Sequence, residues 1–205
     1  MHDISSGLLA PTIAVLLFFV AFVVFETGSL VVEYFSQRRR AKVNIPALLD
    51  SFKGQKAEDI EAKIEQSPLF RRQKAVLGQL IKHRDLTALS HQALARKLLA
   101  NEELYYLKIT NRTDLVARLG PMLGLMATLI PLGPGLIAMG QGDTKTLADA
   151  LLTAFDATVT GLATAGVAYA ISRLRKRWYD EYLSSLEALL ESLLEVLPCE
   201  QRIAK

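Results

Sequence analysis

Asp156, Thr160 and Thr164 are spaced four apart, a spacing that lines up side chains along one side of a helix. A carboxylate with two hydroxyls on such a stripe can bind a cation or pass a proton. What makes the trio unusual is its surroundings. From Ala157 to Ser172 there are 16 uncharged residues, rich in Ala, Gly and Thr. An ionised Asp near the centre of a bilayer costs about 2.5–3.5 kcal/mol on insertion scales, so Asp156 must face a bundle interior or an aqueous cavity. An ion-related role and a structural hydrogen bond both remain open for it. Thr128, Thr153 and Thr158 add further hydroxyls, and for these the plain alternative is a bond to the helix's own carbonyls. Glu26 and Glu33 are weaker candidates, placed to reach headgroups or to pair with Arg38 to Arg40.

Three hydrophobic stretches must position these groups. Ile4 to Phe25 holds 22 residues without a charge, enough to cross a bilayer. Its leading flank, Met1-His2-Asp3, lacks the Lys or Arg that opens a secretory signal, so a membrane anchor is expected. Leu119 to Gly142 gives 24 uncharged residues with many Gly and Pro, a content that membrane helices tolerate. Pro131 and Pro134 are expected to kink or break its outer part. The third stretch runs from Thr146 to Ser172, interrupted by Asp149 and Asp156.

Charge then sets the topology. Of 24 Lys and Arg, only Lys145 falls in a segment placed outside. Arg38-Arg39-Arg40-Ala41-Lys42 and Arg173-Leu174-Arg175-Lys176-Arg177 follow the first and third spans, and the positive-inside rule puts both in the cytoplasm. The same rule makes nucleic-acid binding an unneeded reading of these clusters. The expected organisation is an external N-terminus (1–7), a first span (8–33), a cytoplasmic helical region (34–117), a second span (118–140), an external loop (141–146), a third span (147–172) and a cytoplasmic helical tail (173–205).

The cytoplasmic parts read as helices. Asn44-Ile45-Pro46 and Ser67-Pro68 are helix-start signals. Ala57–Gln66, Leu69–His83 and Leu86–Leu107 carry apolar residues at helical spacing. Ala88, Ala93, Leu94, Leu98, Leu99 and Leu104 suggest one long amphipathic helix leading into the second span. Tyr179, Leu183, Leu186, Leu190, Leu193 and Leu197 form a seam spaced 4, 3, 4, 3, 4, expected to make a bundle or coiled-coil contact. His83 and His91 are expected at the surface, and Cys199 is an incidental thiol. One cysteine and three histidines exclude a disulfide framework and a Cys-based zinc site, so no metal or cofactor is expected. No phosphate-binding loop, HExxH or Gly-x-Ser-x-Gly element is present, so an enzyme is not expected.

Leu119-Gly120-Pro121-Met122-Leu123-Gly124-Leu125-Met126-Ala127-Thr128 resembles the second span of the MotA/TolQ/ExbB proton channel family, with its Pro-x-Leu-Gly-Leu-x-Gly/Ala-Thr pattern. Ala148-Asp149-Ala150-Leu151 and Ala157-Thr158-Val159-Thr160-Gly161-Leu162 resemble elements of the third span. The resemblance implies an all-α membrane protein with three transmembrane helices and long cytoplasmic helical extensions, assembled as a homo-oligomer, usually a pentamer. It also implies a single-span partner of the ExbD/TolR/MotB type that carries a membrane Asp. Thr128 and Thr158 match the family's pore-facing threonines, with Asp156, Thr160 and Thr164 beside them. Gly120, Pro121, Gly124 and Gly161 are then expected to pack against the partner helix. Three features depart from the pattern: Ala127 stands where Gly is usual, Pro131 and Pro134 load the outer half of the second span, and Asp156 occupies a normally apolar position.

Overall fold

A computed structural model describes residues 7–40, 45–52 and 57–203. Ala41, Lys42 and Asn44, and the side chains of Arg38 to Arg40, Leu197 and Cys199, lie outside the described residues. The elements are α1 (Leu9–Arg40), α2 (Ile45–Phe52), α3 (Ala57–Gln66), α4 (Arg71–Lys82), α5 (Ala88–Gly140) and α6 (Thr144–Ile203). Among the described residues there is no strand. The regions expected to be cytoplasmic helices and membrane spans merge: α5 runs without interruption from Ala88 through the second apolar stretch, and α6 runs from the third into the tail. α1, α5 and α6 are each long and apolar enough to cross a membrane.

Of the kink or break expected at Pro131 and Pro134, a break does not occur: α5 is helical through Pro121, Pro131 and Pro134. Each proline removes one donor. Opening the helix would expose further backbone groups, at several kcal/mol apiece in hydrocarbon, so continuing it is the cheaper course.

The residues form two units, Met1–Val32 with Ile109–Lys176, and Glu33–Lys108 with Arg177–Lys205. In the first, Thr12, Leu16, Phe19 and Val23 form the buried stripe of α1. Phe19 and Val23 share a core with Val116 of α5 and with Ala168 and Ile171 of α6.

In the second unit, α2, α3 and α4 surround the lower part of α5 and the tail of α6. Phe52, Ile60, Leu77 and Leu80 meet Leu186, Leu189 and Leu193 in a continuous core. The leucine seam is therefore an intrachain bundle contact, widened by Tyr182 and Leu189. On the 88–108 part of α5 the buried residues are His91, Ala95, Leu98 and Glu102, whereas Ala88, Ala93 and Leu104 of the expected stripe are exposed. His91, expected at the surface, is only 2% exposed; its Nε2 donates to the Leu80 carbonyl at 2.9 Å and so ties α5 to the end of α4. His83 is exposed, as expected.

Ser67-Pro68 closes a helix rather than opening one. The Ser67 hydroxyl donates to the Ile64 carbonyl at the end of α3. α4 begins at Arg71, where the Gln73 side chain accepts from the Phe70 N–H at 3.2 Å. Buried Glu102 holds Arg72 through two contacts of 2.9 and 3.0 Å, and that guanidinium lies over the Tyr105 ring. Tyr106 packs between Tyr179 and Tyr182, and burial pushes its hydroxyl up to about 12.

Candidate functional site: the paired faces of the second and third spans

The site is set by how closely α5 and α6 approach, and glycines decide that. A Cβ on Gly161 would lie 2.8 Å from the Gly120 carbonyl oxygen, a backbone contact that cannot yield by a rotamer change. One on Gly120 would meet Ala165 Cβ and the Gly161 carbonyl oxygen at 3.0 Å. On Gly124 it would touch the Ala157 carbonyl oxygen and Thr158 Cα at 3.5 Å, and on Gly135 the Ala150 Cβ at 3.1 Å. Such small-residue faces let membrane helices pack backbone to backbone. The face formed by Gly120, Gly124 and Gly161, assigned from sequence to a partner helix, is filled by the chain's own neighbouring span. Pro121 is half-buried beside it.

A tight turn sets the register of this hairpin. Gly142 has φ +85°, the left-handed conformation that favours glycine. The Gly142 N–H donates to the Met139 carbonyl at 3.0 Å and the Asp143 N–H to the Ala138 carbonyl at 2.9 Å, a Schellman closure of α5. Asp143 then caps α6 at once, accepting from the Thr146 N–H at 3.1 Å and from its hydroxyl. Those bonds, with the Thr146 hydroxyl foremost, hold the Asp143 carboxyl below its usual range. The connection is therefore Gln141-Gly142-Asp143, and Thr144 to Thr146 form the first turn of α6.

This antiparallel register sets the threonines in order. Thr158 lies against Gly124, and Thr128 comes one turn closer to the hairpin, at the height of Ala154 to Asp156. Both threonines are half-buried. Each hydroxyl is engaged within its own helix: Thr128 donates to the Leu125 carbonyl at 2.7 Å and Thr158 to the Ala154 carbonyl at 3.0 Å. Thr153 and Thr164 do the same to Asp149 and Thr160. Their oxygens keep lone pairs to accept with.

Asp156, Thr160 and Thr164 do not share one environment. Thr164 is buried, Thr160 half-buried and Asp156 exposed, because i, i+4, i+8 positions drift around a straight helix. Asp156 stands on the outward face among Leu152, Phe155 and Val159, each more than 60% exposed. A single chain in a bilayer would thus set a carboxylate among acyl chains.

A polar layer closes the other end of this bundle. Arg175, only 3% exposed, donates to the Glu26 carboxylate and, at 3.2 Å, to the Ser29 hydroxyl, tying α6 to α1. Asp114 of α5 accepts from Ser172 and Lys176. Glu26 is thus paired with Arg175, and Glu33 accepts from the Tyr179 hydroxyl at 3.0 Å. The reading from sequence sent these acids to the headgroups or to Arg38 to Arg40 and treated 173–177 as a topological signal only. The clue was periodicity: the buried face Ala168, Ile171 and Ser172 continues by helical steps onto Arg175 and Tyr179.

Helices of membrane-spanning length, two of them locked as a glycine-packed hairpin, define a multi-pass, all-helical membrane protein. The chain belongs to the MotA/TolQ/ExbB proton channel family, whose profile matches residues 57–188, more than half of its length. No curated protein matches the chain.

Proposed function

We propose that this protein is the channel-forming, stator-like subunit of an inner-membrane complex of the ExbB/TolQ/MotA type. It uses the transmembrane proton gradient to drive movement of a partner and so energise transport or mechanical work. In this reading the N-terminus is external, the tail cytoplasmic, and several copies, five in the family's usual assembly, surround the span of an ExbD/TolR/MotB-like subunit. That subunit brings a membrane Asp. Thr128, Thr158 and Thr160 stand beside the path, their oxygens accepting from the acid or holding a water, and Asp156 adds a second carboxyl at the height of Thr128. Thr164, buried within the chain, is left behind that surface.

The observation that carries this reading is the position of Asp156, an exposed carboxylate on an apolar helix of a proton-channel family member. Assembly is the way to take it out of lipid. The driving force suffices, since one charge crossing 100 mV releases about 2.3 kcal/mol, and a few protons cover a cycle of several kcal/mol.

A second reading, a membrane scaffold without ion flux, draws on the in-helix bonds of the threonine hydroxyls and the intrachain use of the glycines. Co-purification with the product of a neighbouring gene for a single-span, Asp-bearing subunit, followed by proton uptake in liposomes, separates the two. Uptake that disappears in Asp156→Asn with the complex intact supports the channel and gives Asp156 its role. A complex of correct stoichiometry that never conducts establishes the scaffold.

A further inference from the structure

In the unit built from α2, α3 and α4, two helix faces turn away from the common core. On α5, Leu89, Ala100 and Leu104 form a ridge edged by Arg96 and Lys97 over its first turns and by the exposed Glu103 at its far end, with Leu89 83% and Leu104 56% exposed. On α6, Asp180, Ser184, Glu187 and Glu191 follow one another at spacings of 4, 3 and 4, all exposed. One face is basic and apolar, the other acidic. Arg96, Lys97, Glu187 and Glu191 join no ion pair among the described residues.

The heights of these groups match. The Tyr182 hydroxyl reaches Glu102 at 3.4 Å, and the Tyr106 ring lies 4.3 Å from that of Tyr179. In antiparallel helices every step back along α5 is a step forward along α6, so Ala100 stands level with Ser184. Lys97 then stands level with Glu187, and Glu191 lies about 4.5 Å, nearly one turn, from the level of Arg96.

We propose that the basic, leucine-bearing face of α5 in one copy docks on the acidic face of α6 in the next copy of this chain. The inference rests on the homo-oligomeric reading above and names the surface that the copies share. Copies inserted in one membrane with the same orientation are related by rotation about its normal, so groups of equal height face one another. A contact between unlike faces repeats around a ring. A contact between like faces would set Arg96 against Arg96 or Glu187 against Glu187. The leucines lose water in this contact, and the opposed charges set its register and exclude the wrong pairing.

Paired cysteines in the full-length chain test this, with Cys199→Ser removing the single native thiol. Ala100→Cys and Ser184→Cys together, oxidised in membranes, are expected to give a ladder of covalent species beyond the dimer, whereas each alone gives background. Adding Arg96→Glu and Lys97→Glu should cut the cross-linked fraction by about tenfold, because like charges are then apposed. Glu187→Lys with Glu191→Lys should restore it. An oligomer intact by native mass spectrometry but without a ladder, or a cross-link that stops at the dimer, overturns the surface and leaves the channel reading standing. A chain that is monomeric in native membranes overturns both.

Discussion

Asp143 ends one membrane-length helix and starts another, and it does so as an anion. Because its folded-state pKa lies below the usual 3.8, the cap contributes stability above that value and loses it as pH falls through the lowered one. Asp143→Ala should therefore lower the thermal midpoint at pH 7 and make progressively less difference as pH falls below 3.8. Asp143→Asn should keep most of the cap and flatten the acid dependence. Thermal melts followed by circular dichroism across that pH range check both. The buried pair of Arg175 and Glu26 follows the opposite logic, since removing one partner strands the other. Arg175→Leu should cost about 3–5 kcal/mol, and replacing both residues by apolar ones of similar volume should recover much of that. Denaturant unfolding of the two variants in detergent gives the comparison.

At the scale of the element, the tightest constraint is the crossing of α5 and α6. Gly161→Ala forces a methyl onto the Gly120 carbonyl, so the helices must separate, at about 1–3 kcal/mol. Gly166 is the control, because a Cβ there meets nothing within 4 Å. Gly166→Ala should be neutral or stabilising by up to about 1 kcal/mol, through helix propensity. The unfolding midpoint should fall for Gly161→Ala and hold or rise for Gly166→Ala. If both fall equally, the close approach is not what holds the hairpin. In the other unit Leu186 is fully buried, and Leu186→Ala should cost about 2–5 kcal/mol. Amide exchange should show that loss in α2, α3 and α4 as well as around the substitution.

For the whole molecule, the channel reading makes stability and flux separable. Thr128→Ala with Thr158→Ala removes hydroxyls whose bonds are local, so the double variant should melt within a few degrees of the parent. Reconstituted with its partner, it should nonetheless lose most of its proton uptake. Equal losses in both measurements would point to the scaffold reading.

Much of this was legible in the chain itself. The three long apolar helices, the helicity of the segments between and after them and the limits of α3 follow from local facts, the length of uncharged runs and the 3.6-residue period, and so does the family, through the motifs around Gly120 to Thr128 and Ala157 to Leu162. Tertiary structure alone decided the rest. It gave the glycine face to the chain's own hairpin and the 183–193 leucines to its own bundle. It buried His91 against Leu80, paired Glu26 with Arg175, and left Asp156 on the outward side. The reason is that periodicity shows which residues share a face, whereas the neighbour that a face meets depends on contacts between segments distant in sequence, such as the 149 residues separating Glu26 from Arg175. Pro131 and Pro134 show the same limit from the other side. Their local preference is to break a helix, and the absence of any other partner for the backbone in a bilayer overrides it.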